Sequence, residues 1–62
     1  MCDLKAYGIK NGREELLLES VNLVLAEGDE VVLRSLFGEE KRIRGALKEV
    51  SLTKNRIVVE RT

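Results

Sequence analysis

The chain has 62 residues, 44% of them hydrophobic and 35% charged, with 11 Lys+Arg against 11 Asp+Glu, one Cys and no His. One domain over residues 1–62 is all that this length allows. A single Cys excludes an intrachain disulfide, and the lack of His excludes both a classical zinc finger and a Ser-His-Asp or Cys-His catalytic site within one chain.

The apolar pattern is short and β-like. Cys2, Leu4, Ala6 and Gly8 alternate with Asp3, Lys5, Tyr7 and Ile9, which predicts a first strand with two usable faces. Asn11-Gly12 is a hairpin signal, since both residues tolerate φ > 0. Leu16-Leu17-Leu18 opens the return strand, and Val21, Leu23 and Leu25 alternate with Asn22, Val24 and Ala26, which predicts another strand or a continuation of that one. Glu27-Gly28-Asp29 reads as a turn, Val31-Val32-Leu33 as a β-branched strand, and Leu36-Phe37-Gly38-Glu39 as a tight connection. Ile43, Gly45 and Leu47 share one face of a further strand. Lys54-Asn55 is a turn, and Ile57-Val58-Val59 is the last strand.

Short strands with closely spaced turns predict an all-β fold, here a small SH3-like or Sm-like barrel. A helix over Gly12–Ala26 competes, because Glu14 to Glu19 are good helix formers. The expected inward set is Leu4, Ala6, Leu16, Leu18, Val21, Leu23, Val31, Leu33, Ile43, Leu47, Ile57 and Val59. Leu17, Val24, Val32 and Val58 then face the other way. That leaves apolar residues on both sides of the strands, and so a homodimer with a buried interface is expected. Self-association also suits a chain that buries only about 60% of its unfolded surface.

Charge is unevenly placed. Residues 1–40 hold four basic and nine acidic side chains, whereas residues 41–62 hold seven basic and two acidic. Such asymmetry fits a dipolar surface or head-to-tail complementarity between subunits. No apolar run approaches the roughly 18 residues of a membrane span, and no cleavable leader is evident. A cytoplasmic location is expected, where a lone Cys stays a thiol. The charge runs Glu14-Glu15 and Glu39-Glu40-Lys41-Arg42 read as solvated edges. The five glycines lack a phosphate-cradling spacing.

Cys2 is the chemically unusual residue. The Met1 amine, the Cys2 amide nitrogen and the Cys2 thiolate close two five-membered chelate rings on one cation. Thiolate with nitrogen donors in a square plane suits Ni(II) or Cu(II), and thiolate tends to reduce Cu(II). Removal of Met1 would leave an amine–thiolate chelate on Cys2 alone. In either form one chain supplies few donors, so an ion shared by two chains is the economical arrangement. The other reading of Cys2 is a small hydrophobe at the start of a strand.

Met1-Cys2 followed by a strand, then Glu27-Gly28-Asp29, Val31-Val32-Leu33 and Leu36-Phe37-Gly38-Glu39-Glu40, resembles the CooT family over nearly the whole chain. The resemblance implies a homodimeric, β-barrel-like nickel-binding accessory protein, a metallochaperone or sensor with no resident catalysis. Its ligand would be the second-position cysteine, Cys2 here, and it would assist nickel insertion into carbon monoxide dehydrogenase or another nickel enzyme. The implied partners are a second copy and that client or a maturation factor.

The rival function is RNA binding by the C-terminal strands, through Lys41, Arg42, Arg44, Lys48, Lys54 and Arg56. Only Tyr7 and Phe37 are aromatic, which is sparse for base stacking.

Overall fold

Asn11 and Gly12 adopt φ of 54° and 76°, the paired left-handed conformation of a two-residue hairpin, and join β1 (Lys5–Lys10) to β2 (Arg13–Leu18). The chain reverses at Ser20 (φ 55°) into β3 (Val21–Glu27), which turns through Gly28 and Asp29 into β4 (Glu30–Ser35). A turn at residues 36–39 leads to the long β5 (Glu40–Ser51), and a last turn leads to β6 (Arg56–Arg61). The computed structural model describes residues 4–62. No helix occurs among them, so the helix considered over Gly12–Ala26 is replaced by β2 and β3. The leucines there gain more from packing and cross-strand pairing than from local helix propensity.

The six strands form one sheet in the order β2-β1-β6-β5-β4-β3. Neighbours are antiparallel except β1 and β6, which run parallel with Ala6 opposite Ile57 and Gly8 opposite Val59. The all-β expectation holds, but the sheet does not close into a barrel: β2 and β3 are its two ends. They are sequence neighbours that diverge at Ser20, and the corner is held by two backbone bonds, Val21 N–H to the Leu4 carbonyl and Leu36 N–H to the Ser20 carbonyl.

β5 folds the sheet over its own core. Glu40–Arg44 pair with β4, and pairing passes to β6 from Gly45 onward. Gly45 has φ 151°, and a Cβ there would run into the Glu60 carbonyl oxygen. Only glycine permits this crossing of backbones.

The core comprises Ala6, Leu18, Val21, Val31, Leu33, Ile43, Ile57 and Val59, with Leu4, Leu17 and Val24 packed against it. Eight members of the expected inward set are therefore buried, and Leu4 packs beside them. Three differ, each at a one-residue register shift. Between β1 and β2, Ala6 faces Leu18 but Tyr7 faces Leu16, so Leu17 is the extra residue. Leu17 packs on the core while Leu16 is exposed on the Tyr7 side. A similar shift pairs Leu23 with Arg34 and Val24 with Leu33, which carries Val24 inward and Leu23 outward. Leu47 lies opposite buried Val59 yet remains exposed. Such bulges invert the faces of everything beyond them.

Val32 and Val58 were expected to be exposed, and both are buried. Val32 lies between Leu25 and Arg42, and Val58 between Tyr7 and Glu49. These larger flanking side chains cover a small β-branched one. The apolar surface available to a partner therefore lies elsewhere.

Candidate metal centre

Met1 and Cys2, the expected metal ligands, lie outside the described residues. Their attachment point is well defined. The Leu4 carbonyl accepts from Val21 N–H at 2.9 Å, and Lys5 N–H donates to the Asn55 carbonyl at 3.0 Å. The chain thus enters the sheet between the β2–β3 corner and the β5–β6 turn.

The turn after β4 adjoins the same corner. Leu36 N–H donates to the Ser20 carbonyl at 2.8 Å. The hydroxyl of Ser35, itself buried, accepts from Phe37 N–H at 3.1 Å and Glu39 N–H at 3.2 Å. Backbone bonds from Ser35 N–H to the Glu39 carbonyl and from Gly38 N–H to the Ser35 carbonyl complete the loop. Phe37 is consequently held outward on an ordered turn. Sequence reasoning missed the role of Ser35; a Ser at the strand end three residues before Gly-Glu-Glu is the available signal for such a side-chain-capped turn.

Among the described residues no three His, Cys, Asp or Glu side chains come together as a metal-binding group. With no His and a single Cys in the sequence, the soft donor of any thiolate-centred site is Cys2.

The basic residues considered for RNA include Arg42 and Arg56, both engaged in ion pairs. Exposed Lys41 lies opposite Leu33, while Arg42 and Arg44 lie opposite Val32 and Glu30. Arg42 is tied to Glu30 at 3.2 Å and Arg56 to Glu14 at 2.6 Å. A cleft of about 490 Å³ lies at the β1–β2 hairpin, lined by Lys10, Asn11, Arg13, Glu14, Glu15 and Arg61. Its Arg61 is paired with Glu15 at 2.8 Å. No helix among the described residues is long and apolar enough to cross a membrane.

Residues 1–60 match the family model of CooT, described as CO dehydrogenase accessory protein CooT. The chain is 38% identical over 60 residues to the uncharacterized protein MJ1551 of Methanocaldococcus jannaschii, covering 97% of this chain and 98% of that one. Its fold superimposes with a TM-score of 0.85 on a crystal structure provisionally named CooT from Carboxydothermus hydrogenoformans, at 31% identity and 98% coverage of both chains.

Proposed function

This chain belongs to the CooT family of CO dehydrogenase accessory proteins, and on that footing we propose that it carries Ni(II) as cargo for a nickel enzyme. The Cys2 thiolate is the anchoring ligand. The Cys2 amide nitrogen and the Met1 amine complete the chelate, and a second copy adds its own thiolate. The client is carbon monoxide dehydrogenase or another nickel enzyme, reached directly or through a maturation factor. The protein supplies binding and release, not catalysis, and acts in the cytoplasm.

One observation carries this reading. The sequence contains one Cys and no His, so a thiolate-centred site has a single residue on which to form. The described body contributes no competing cluster of ligands. Thiolate and amide donors must lose protons to bind, which favours a late divalent ion and makes binding pH-dependent.

The test is a Ni(II) titration followed by the thiolate-to-metal charge-transfer absorption. The wild-type chain should develop the band and saturate; Cys2→Ser should not. Equal affinity and stoichiometry in both would end the nickel reading.

A further inference from the structure

We infer that the cleft between the β1–β2 hairpin and Arg61 is a binding site for a small, doubly charged oxyanion, a phosphate or a dicarboxylate. The inference is independent of the nickel reading. β1 runs away from the chain's entry, and at about 3.3 Å per residue it places Lys10 roughly 17 Å from Lys5.

The cleft is built on the core face of the sheet, just past the end of the core. Ala6, Gly8 and Lys10 alternate along one side of β1, and Ala6 is buried in the core. Leu17 packs against the core, and Glu15 and Arg13 follow it along the same side of β2. From β6 the Arg61 side chain crosses over Gly8. A Cβ at Gly8 would stand 2.8 Å from the Arg61 Cδ and 3.0 Å from the Leu17 Cδ1. The bare backbone of Gly8 therefore gives Arg61 its path to Glu15, which it meets at 2.8 Å. The space left is about 490 Å³, within the range of small-molecule sites.

Three bases and two acids line this space: Lys10, Arg13 and Arg61 with Glu14 and Glu15. Both acids are already engaged, Glu15 by Arg61 at 2.8 Å and Glu14 by Arg56 at 2.6 Å. Lys10 and Arg13 form no ion pair among the described residues. They also stand directly opposite each other, as the pair that closes the hairpin. Like charges in that relation repel, where an acid facing a base would attract. Packing does not compel the arrangement, since both residues are exposed. The turn between them is fixed by Asn11 and Gly12 at φ 54° and 76°, so the two positions are held side by side before any ligand arrives. A local rule broken with no structural gain is the mark of a functional position.

The ligand follows from this balance. Two uncompensated cations match two negative charges. Arg13 offers a planar fork that fits a phosphate or carboxylate, and Lys10 a compact point charge. Asn11, also in the lining, brings an amide N–H donor. No aromatic side chain lines the cleft, so it has no platform for stacking a base. That selects a compact anion over a nucleic acid strand.

The experiment is calorimetric titration of the intact chain with inorganic phosphate and with succinate, at about pH 8 where phosphate is a dianion, with sodium chloride at matched ionic strength as the control. At least one of the two should bind saturably, and which one binds assigns the source of the charge. Lys10→Gln and Arg13→Gln should each weaken that binding about tenfold or more, the loss of one charge-assisted contact. Lys54→Gln, on the β5–β6 turn, should bind as wild type does. A second measurement needs no ligand. At low salt each cleft variant should unfold at a higher urea concentration than wild type, because the repulsion across the hairpin is gone. Four results overturn the inference: no saturable binding of either anion below about 10 mM, the same heat from chloride, unweakened binding by the two cleft variants, or cleft variants no more stable than wild type at low salt.

Discussion

The Arg56 guanidinium lies 2.6 Å from the Glu14 carboxylate, across 42 positions of sequence, and 4.7 Å from the centre of the Tyr7 ring. The parallel pairing of β1 with β6 brings these groups together on the outer side of the sheet. Glu15–Arg61 and Glu30–Arg42 likewise join an acid of the first forty residues to a base of the last twenty-two. The fourth pair, Arg34–Glu40, lies across the β4–β5 turn. Three of the seven bases in residues 41–62 thus meet acids of residues 1–40 across strands within one chain.

Arg56→Ala should lower stability by about 1 kcal/mol, read from the midpoint of urea unfolding. The ion pair is more than a third exposed on both sides, which holds it near the low value of surface pairs, and the ring contact adds a comparable amount. Glu14→Gln should cost less, and the two effects should be less than additive in a double-mutant cycle. Salt should shrink the difference.

Gly45→Ala should be far more damaging, at about 3 kcal/mol or more. The added carbon meets rigid backbone, the Glu60 carbonyl, at the point where β5 changes partners. Relief requires β5 and β6 to separate. Thermal unfolding measures the loss; a Gly45→Ala protein with unchanged midpoint would contradict the corner described here.

Ser35→Ala removes the acceptor for two backbone N–H groups. The expected cost is about 1–2 kcal/mol, because those donors are partly buried and must find water. Hydrogen exchange at Phe37 and Glu39 should accelerate well before global unfolding, since the turn loosens first.

Nickel affinity should rise with pH through the range in which a thiol of ordinary pKa, about 8.5, ionises. Below that range protons outcompete the metal. A short extension placed before Met1 converts its amine to an amide and should weaken binding at least tenfold, read by competition with a chelator. An extended chain of unchanged affinity would remove the Met1 amine from the donor set while leaving Cys2 in it.

Much of the fold was readable in one dimension. Asn11-Gly12 needs both residues left-handed, which few other pairs tolerate, and β4 and β6 announce themselves as β-branched runs. The described strands lie on the apolar segments, and the Val21–Ala26 alternation, readable as a strand or a continuation, is the separate strand β3. The errors in facing sit at Leu16, Leu23 and Leu47, with the neighbours Leu17 and Val24, where an extra residue enters one strand but not its partner. Alternation in a single strand contains no record of that, because a bulge is a property of a pair.

The sequence by itself determined the strand set, the hairpin turns and the chemistry on offer: one thiol, no imidazole, and balanced charge. Each follows from local backbone preference or from which atoms are present. Tertiary structure alone decided that the sheet stays open, that Val32 and Val58 are covered, and that the Phe37 and Leu52 turns flank the chain's entry. Those facts depend on contacts between residues distant in sequence, and such contacts exist only once β1 has paired with β6 and Gly45 has let β5 turn the corner.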